Sequence, residues 1–367
     1  MGNPVNEDAT KTDRAEAAAL GAAFRNGDEA AFTALAERHR RELLVHCYRM
    51  LASLSDAEDA LQDTFLRAWR YRETVREGLT LRPWLYRIAT NACLDAIARD
   101  PRRTALAAAP EPGTPAAPEA GPDAEVAWLQ PFPDSLLEPV APRESEPDAV
   151  AMTREAIEIA FLTVIQRLSP QQRAALILRD VLGWSAKETA ELLDLSVAAA
   201  NSALQRARAT ARAQLPPPRP DGPTGVDSRE SERELLRKYV QAAEQADVSL
   251  LVSLIREDAV FRMPPEPSVG IVAGRDAMVR LFVEGGFGTA RMGSLRCVIT
   301  RANGQPAVAA YVKDQVDASW SALAIDLLRI EEGLISEIVT FGPDVFPSLG
   351  LPTTLEESGA ARIEKEC

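Results

Sequence analysis

Between Trp184 and Arg208 the chain reads WSAKETAELLDLSVAAANSALQRAR, and its polar residues are of the types that contact nucleic acid. Asn and Gln side chains can pair with an adenine edge, small residues let a helix lie close against base edges, and arginine forks take phosphate oxygens. The spacing supplies a scaffold for them. Ser185 followed three residues later by Glu188 is a capping box, which predicts a helix from Ser185 with Ala190 and Leu193 at helical spacing. Asp194-Leu195 breaks that pattern. Ser196 then caps a second helix whose apolar face is Val197, Ala200, Leu204, Ala207 and Ala211. The opposite face carries Ala198, Ala199, Asn201, Ser202, Gln205, Arg206, Arg208 and Arg212, candidate base and phosphate contacts of a helix-turn-helix. The same residues also describe an ordinary helical hairpin with a solvated polar face.

A formal net charge of -13 stands against this, because a polyanion is held by cations. The charge is unevenly spread. Residues 31–100 hold 11 basic and 10 acidic residues, and 155–215 hold 7 and 6, so both stretches are near neutral. The acidity lies in 104–153, with 9 acidic residues against one arginine, and in 226–367, with 22 against 15. Salt screens exposed charge at a distance, so a local DNA contact survives, but the chain is expected to borrow electrostatic affinity from a larger partner.

Composition bounds the rest. A length of 367 residues predicts two or three domains, and 46% hydrophobic residues suffice for real cores. Cys47, Cys93, Cys297 and Cys367 show no CxxC spacing, so no zinc site, other metal or disulfide framework is expected. The N-terminus lacks a charged start followed by an apolar core, and no apolar run is long enough to span a membrane. A cytoplasmic protein without membrane association or cofactor is expected.

The pattern along the chain divides it further. Residues 1–28 read as a flexible N-terminus and 29–103 as a helical domain, with Leu43, Leu44, Cys47, Met50 and Leu51 on one stripe. In this domain a helix starts at Asp56 and another near Pro83. Residues 104–150 are rich in Pro, Ala and Glu, a composition unable to bury enough apolar surface to fold. The exception is WLQPFPDSLL, Trp128 to Leu137, whose apolar residues mark a docking segment. The helix-turn-helix domain spans 151–215, and PPPRPDGP lies in a hinge over 216–227. Residues 228–350 read as an α+β domain: helices from Arg229 and near Val248, a strand at Ala259 to Met263, and a helix after Gly274. Four period-two stretches follow, LRCVITR, PAVAAYV, WSALAIDLLRI and LISEIVTF, which predict a curved antiparallel sheet packed on its helices, with a tail over 351–367.

DAEDALQDTFLRAWR with PWLYRIATNACLDA resembles region two of bacterial sigma-70-family factors of the extracytoplasmic-function group. LSPQQRAALILRDVLGWSAKETAELLDLSVAAANSALQRARA resembles their region four. The last third is similar to the cone-shaped SnoaL-like domains appended to the sigma-G- and sigma-J-like branch. The resemblance implies two all-α domains, the second with a helix-turn-helix, followed by an α+β cone. Its implied partners are core RNA polymerase, through the β′ clamp helices and the β flap, and promoter DNA. It places polymerase contacts on Asp56, Glu58, Asp59, Gln62, Asp63 and Phe65, with Leu61, Leu66 and Trp69 on the apolar side of that helix. Arg82, Arg87, Thr90 and Asn91 fall where the family opens the −10 element, and Ser196 to Arg208 where it reads the −35 element. A basic triplet common in relatives is here Asn201-Ser202-Ala203, which removes positive charge from the recognition helix.

SnoaL-like folds include enzymes that use an acid/base pair in the cone. Both histidines of this chain, His39 and His46, lie in the first helical domain. Asp258, Asp314, Asp317 and Asp326 are the available carboxylates, MPPEP and Gly285-Gly286 mark loops at the cone mouth, and Trp320 and Phe341 are core or cone-lining residues. Asp258, just before a strand, reads as a cap or loop residue. The expectation is a regulatory module, open to a small ligand, and not a catalyst. Two alternatives remain at this point: a small-molecule-binding or converting protein with a helical scaffold, and a repressor that acts without polymerase.

Overall fold

In the computed structural model the described residues are 19–75, 81–107, 126–137, 157–215, 226–264, 270–287, 289, 293–313 and 319–356. They belong to two units. One comprises Met1–Ala109, Pro139–Glu144 and Val164–Gln214, the other Pro110–Glu138, Ser145–Thr163 and Leu215–Cys367.

Three long helices begin the first unit. Helix α1 (Glu29–Leu51) starts where the Asp28 carboxylate accepts the Ala31 N–H, and it stops where Ala52 turns left-handed, φ 55°, and gives its N–H to Tyr48 O. Helix α2 (Leu54–Arg70) starts two residues earlier than the sequence predicts, because the Ser53 hydroxyl accepts the Asp56 N–H. Helix α3 (Leu81–Arg99) carries Pro83 in its first turn, where a missing N–H costs no bond. A short α4 (Pro101–Ala107) follows. Their inner faces bury Leu43, Cys47, Met50, Leu61, Leu85, Cys93 and Ile97.

The flexible terminus expected through residue 28 fails from residue 19. Residues 19–25 are helical and Phe24 is fully buried, its ring 5.9 Å from Phe32, 6.4 Å from Trp69 and 6.1 Å from Trp84.

The second helical group is α5 (Ile159–Gln166), α6 (Pro170–Leu176), α7 (Ala186–Leu192) and α8 (Val197–Gln214). Between α6 and α7 the chain makes a wide π turn over Ile177–Val181. Arg173, fully buried on α6, caps two helix ends at once. It donates to Ile165 O at 2.9 Å and Gln166 O at 2.7 Å at the end of α5, and to Met50 O at 2.6 Å at the end of α1. A cation suits these carbonyl termini, although burial and the nearby Arg103 charge lower its pKa to about 9.

In the second unit, α9 (Val226–Glu244), α10 (Val248–Leu254) and α11 (Arg275–Glu284) accompany one sheet. Its strands are β1 (Ile255–Arg262), β2 (Ile271–Ala273), β3 (Leu295–Ala302), β4 (Gln305–Lys313), β5 (Trp320–Glu331), β6 (Leu334–Phe341) and β7 (Thr354–Leu355). The order is β2-β1-β6-β5-β4-β3, with β7 beside β5. The four period-two stretches are β3 to β6, as the alternation predicts. The sheet is not wholly antiparallel, however: β1 and β6 pair in parallel, which the long path between them through α11 and the meander permits. Tyr239 and Leu236 of α9, Phe261, Met278, Val308, Leu328 and Ile338 form the core. The tail expected from residue 351 is also corrected, since Leu351 is buried and Thr354–Leu355 form β7.

Two described parts of 104–150 depart from the unstructured linker the composition predicts. Residues through Ala107 are helical, and Val126 to Leu137 packs within the second unit. The receptor for this docking segment is the β3–β4 hairpin, whose turn residues Asn303 and Gly304 take φ of 55° and 68°, as an Asn-Gly turn favours. Phe132, fully buried, gives its N–H to Asn303 Oδ1 at 2.7 Å and accepts the Asn303 N–H at 2.9 Å. Gly304 N–H reaches Asp134 Oδ1 at 2.8 Å. The same turn holds the chain on the far side of the linker: Asn303 Nδ2 donates to Ile157 O at 2.8 Å, and Gln305 Oε1 accepts the Ile159 N–H at 3.1 Å. The proline-rich stretch PPPRPDGP lies outside the described residues.

Candidate functional site

The capping box forms as its spacing requires. Ser185 Oγ accepts the Glu188 N–H at 3.2 Å and Glu188 Oε2 accepts the Ser185 N–H at 2.8 Å, and hydrogen bonding by the Ser185 side chain and then its backbone holds the Glu188 carboxyl below its usual range. Asp194 then turns left-handed, φ 53°, and Ser196 Oγ accepts the Ala199 N–H at 3.1 Å to start α8. Ala198, Ala199, Asn201, Gln205, Arg206, Arg208 and Arg212 are exposed on α8, and Ser202 is half-buried, accepting Arg206 Nη1 at 2.9 Å. One side of the helix therefore carries the strip of small, amide and cationic residues read from the sequence. The buried face differs by one residue. Val197 is 44% exposed, whereas Ala203 joins Ala200, Leu204, Ala207 and Ala211 inside, since it adjoins both rows of that stripe. The third residue of Asn201-Ser202-Ala203 thus points away from the polar strip.

On α2, Glu58, Asp59 and Gln62 are exposed and form the accessible part of the acidic face. Asp56 is engaged by the buried Arg103, which also donates to Leu51 O. Asp63 pairs with Arg67 at 2.7 Å, and Arg67 with Asp95 at 2.7 Å. Phe65 is half-buried and meets the Phe32 ring edge-on at 6.4 Å. Beside it lies a hollow of about 540 Å³ lined by Glu29, Phe32, Gln62, Phe65, Leu66 and Trp69. Leu66, 71% exposed, is the apolar residue that helical spacing assigns to the inner side and the structure leaves at the surface. Phe32 was not legible as part of this surface, because it comes from α1, more than thirty residues earlier.

On α3, Arg82 Nε donates to Glu42 Oε2 at 2.7 Å and its guanidinium lies 5.0 Å over the Tyr86 ring. Arg87 Nη2 donates to Asp194 Oδ1 at 2.5 Å, and Asn91 is half-buried. Thr90 cannot contact DNA in this fold. It is fully buried, gives its hydroxyl proton to Tyr86 O at 2.8 Å, and lies 2.9 Å from His46 Nε2. Its place four residues after Tyr86, in line with Cys93 and Ile97, puts it on the inner stripe.

Three arginines assigned to DNA therefore hold carboxylates of their own chain: Arg82 with Glu42, Arg87 with Asp194, and Arg208 with Asp180. This is a further reason why the two helical domains carry so little net positive charge to a polyanion.

In the second unit, Asp326 on β5 accepts Tyr239 Oη at 3.0 Å and Thr340 Oγ1 at 2.5 Å. Burial pushes its carboxyl up, against those two donors. Asp258 is a strand residue rather than a cap, exposed and paired with Arg256. Asp314 and Asp317 lie outside the described residues. Phe341 is fully buried, and Trp320 is buried with the Arg296 guanidinium 4.6 Å from its ring centre. Among the described residues, no three His, Cys, Asp or Glu side chains converge as a metal site would need, and no helix is long and apolar enough to cross a membrane.

Known families match the chain in the order its domains suggest: Sigma-70 region 2 over residues 35–103, Sigma-70 region 4 over 158–210, and a SnoaL-like domain over 236–338. Two helical domains of this kind followed by such an α+β domain define a promoter-specificity subunit of bacterial RNA polymerase. The ECF RNA polymerase sigma factor SigG of Mycobacterium tuberculosis is 39% identical over 336 residues, which cover 90% of this chain and 86% of that protein, and the chain belongs to the ECF sigma factor family. SigJ of the same species is 28% identical over 253 residues, 67% of this chain and 70% of that protein. The crystal structure of SigJ shares the fold, with a TM-score of 0.54 at 23% identity over 88% of this chain and 99% of that one. As a member of its family the chain binds core RNA polymerase and directs promoter-specific transcription initiation.

Proposed function

We propose that the exposed face of α2 at Glu58, Asp59 and Gln62, with the adjoining hollow at Phe65 and Leu66, docks on the polymerase clamp. Arg82, Arg87 and Asn91 meet the −10 element, and the polar strip of α8 reads the −35 element. The chain works in the cytoplasm without covalent chemistry of its own, and the C-terminal domain governs initiation.

The observation that carries the governing role is the Asn303-Gly304-Gln305 turn, which bonds to Phe132 and Asp134 before the second helical group and to Ile157 and Ile159 at its start. A domain that holds the middle and the far end of the segment joining two DNA-reading domains biases the distances those domains can take. Asn303→Ala in the full chain tests this: it removes the two side-chain bonds to Phe132 and Ile157 and strains a left-handed turn. Run-off transcription with core polymerase should change while polymerase capture persists. Unchanged output at every promoter tested would leave the domain without a governing role.

A small-ligand role for the same domain is favoured by Asp326. Burial raises its carboxyl pKa, and the residue is half-buried on the sheet face where Ala310 and Ala324 are also only half-buried. Thermal shift with a small-molecule panel, repeated on Asp326→Asn, tests it. Hits that stabilise both proteins equally would not use this carboxyl.

A further inference from the structure

Arg206 and Arg208 stand two residues apart on α8, and as exposed cations both would serve as phosphate contacts. Their surroundings differ. Arg206 donates Nη1 to Ser202 Oγ on its own helix at 2.9 Å. Arg208 is committed along one whole edge: Nε donates to Asp180 Oδ2 at 2.8 Å and Nη2 to Asp180 Oδ1 at 2.6 Å. This is the parallel two-bond fork in which guanidinium and carboxylate match best, and the hydrogen bonds hold the Arg208 pKa above its usual value.

Asp180 is held in place itself. It lies in the π turn Ile177–Val181, where Leu182 N–H bonds to Ile177 O at 2.9 Å, and Trp184 N–H then closes on Leu178 O at 2.9 Å. The neighbouring Arg179 ties the same turn down by donating to Trp184 O at 2.5 Å. A wide turn changes the register of the residues within it, and such turns recur at functional sites. Here the turn leads directly into the helix-turn-helix, and its carboxylate, 18% exposed, faces the recognition helix. A paired arginine brings no net charge to a phosphate, whereas Arg206 and Arg212 bring theirs.

We infer that Asp180 is a positioning residue for −35 recognition, acting through Arg208. The fork sets the roll of α8 against the helices before it, and so decides which bases Asn201, Ser202 and Gln205 reach. Phosphate charge is delivered by Arg206 and Arg212. The inference rests on the reading of α8 as the DNA-facing helix.

The test uses the full chain with core polymerase, measuring promoter binding against salt and base preference across −35 variants. Each lost phosphate contact lowers the salt slope by about 0.9. Arg206→Ala should do this and weaken all promoters alike. Arg208→Ala and Arg208→Lys should leave the slope unchanged and alter base preference, since lysine keeps the charge and loses the fork. Asp180→Ala should alter base preference as well, and by freeing the Arg208 cation it should not lower the slope. The exchange Asp180→Arg with Arg208→Asp should restore the wild-type preference. The inference is overturned if Arg208→Ala lowers the slope as Arg206→Ala does while Arg208→Lys preserves it, or if the exchanged pair melts like wild type and still misreads the −35 element. If no substitution on α8 changes DNA binding at all, it is the underlying reading of α8 that fails. Melting curves identify any variant that does not fold, and Arg208→Lys, the mildest change, then decides the question.

Discussion

Arg87 on α3 donates to Asp194 in the turn of the helix-turn-helix at 2.5 Å, and one residue before Arg87 the Tyr86 ring lies 5.4 Å from Trp184. The surfaces assigned to the −10 and −35 elements thus touch. On B-DNA those elements are roughly two and a half helical turns apart, about 85 Å. The proposed assignment requires this contact to open before both elements are read at once. An exposed ion pair is worth at most about 1 kcal/mol, so the pair can part readily once DNA competes for Arg87. Locking it should stop initiation: with Arg87→Cys and Asp194→Cys joined by a reducible thiol-to-thiol cross-linker, open complexes should be abolished and restored by reduction, read by permanganate footprinting.

Arg173 supports the same junction from inside. Arg173→Met removes a buried donor from the carbonyls of Met50, Ile165 and Gln166, of which Ile165 O keeps the Leu168 N–H and Met50 O a bond from Gln166 Nε2, and it should cost about 1–3 kcal/mol in urea unfolding of the helical unit. Lysine should recover little, because one ammonium cannot span three carbonyls as the fork does.

Acid should destabilise the region around His46. Thr90 gives its proton to Tyr86 O, so it accepts from His46 Nε2–H, and Nδ1 has no partner. Burial and the Arg49 charge push the His46 pKa from 6.5 to about 3. A base with a depressed folded pKa keeps its full stability above the unfolded value. Between about pH 6.5 and 3 the unfolded chain takes up a proton that the folded chain does not, and stability falls by about 1.4 kcal/mol per pH unit. Chemical denaturation at pH 7 and pH 5 should show a loss of about 2 kcal/mol that His46→Phe removes.

The acidic face of α2 should divide into two behaviours. Asp59→Lys should reduce capture of core polymerase without changing the melting temperature, because Asp59 is exposed and lies on the proposed docking face. Asp56→Ala should lower stability by about 1–3 kcal/mol, because it strips the nearer of two carboxylates from buried Arg103 and leaves Asp100 at 3.4 Å. Pull-down and thermal melts of the two variants separate these outcomes.

The local rules carried far in this chain. Ser185 with Glu188 fixed the start of α7, Ser196 that of α8, and alternation gave β3 to β6, because capping and periodicity depend only on near neighbours. Thr90 shows where they stop: its spacing fits a family DNA contact, but its hydroxyl is satisfied by Tyr86 and by His46 from another helix. Composition marked Phe132 as part of a docking segment but not where it docks, since the Asn303 turn lies 171 residues away. The Asp180–Arg208 fork depends on a π turn that leaves no mark in hydrophobic periodicity. The hollow beside Leu66 needed Phe32, brought there by the packing of α1 against α2.

Run-off transcription with core RNA polymerase, across a library of promoters randomised at the −35 and −10 elements, tests the central claim most directly. The account predicts that transcripts appear only when this chain is added, and that Gln205→Ala redistributes them among −35 sequences. Equal output from core enzyme with and without the chain, or repression by the chain alone, would contradict it.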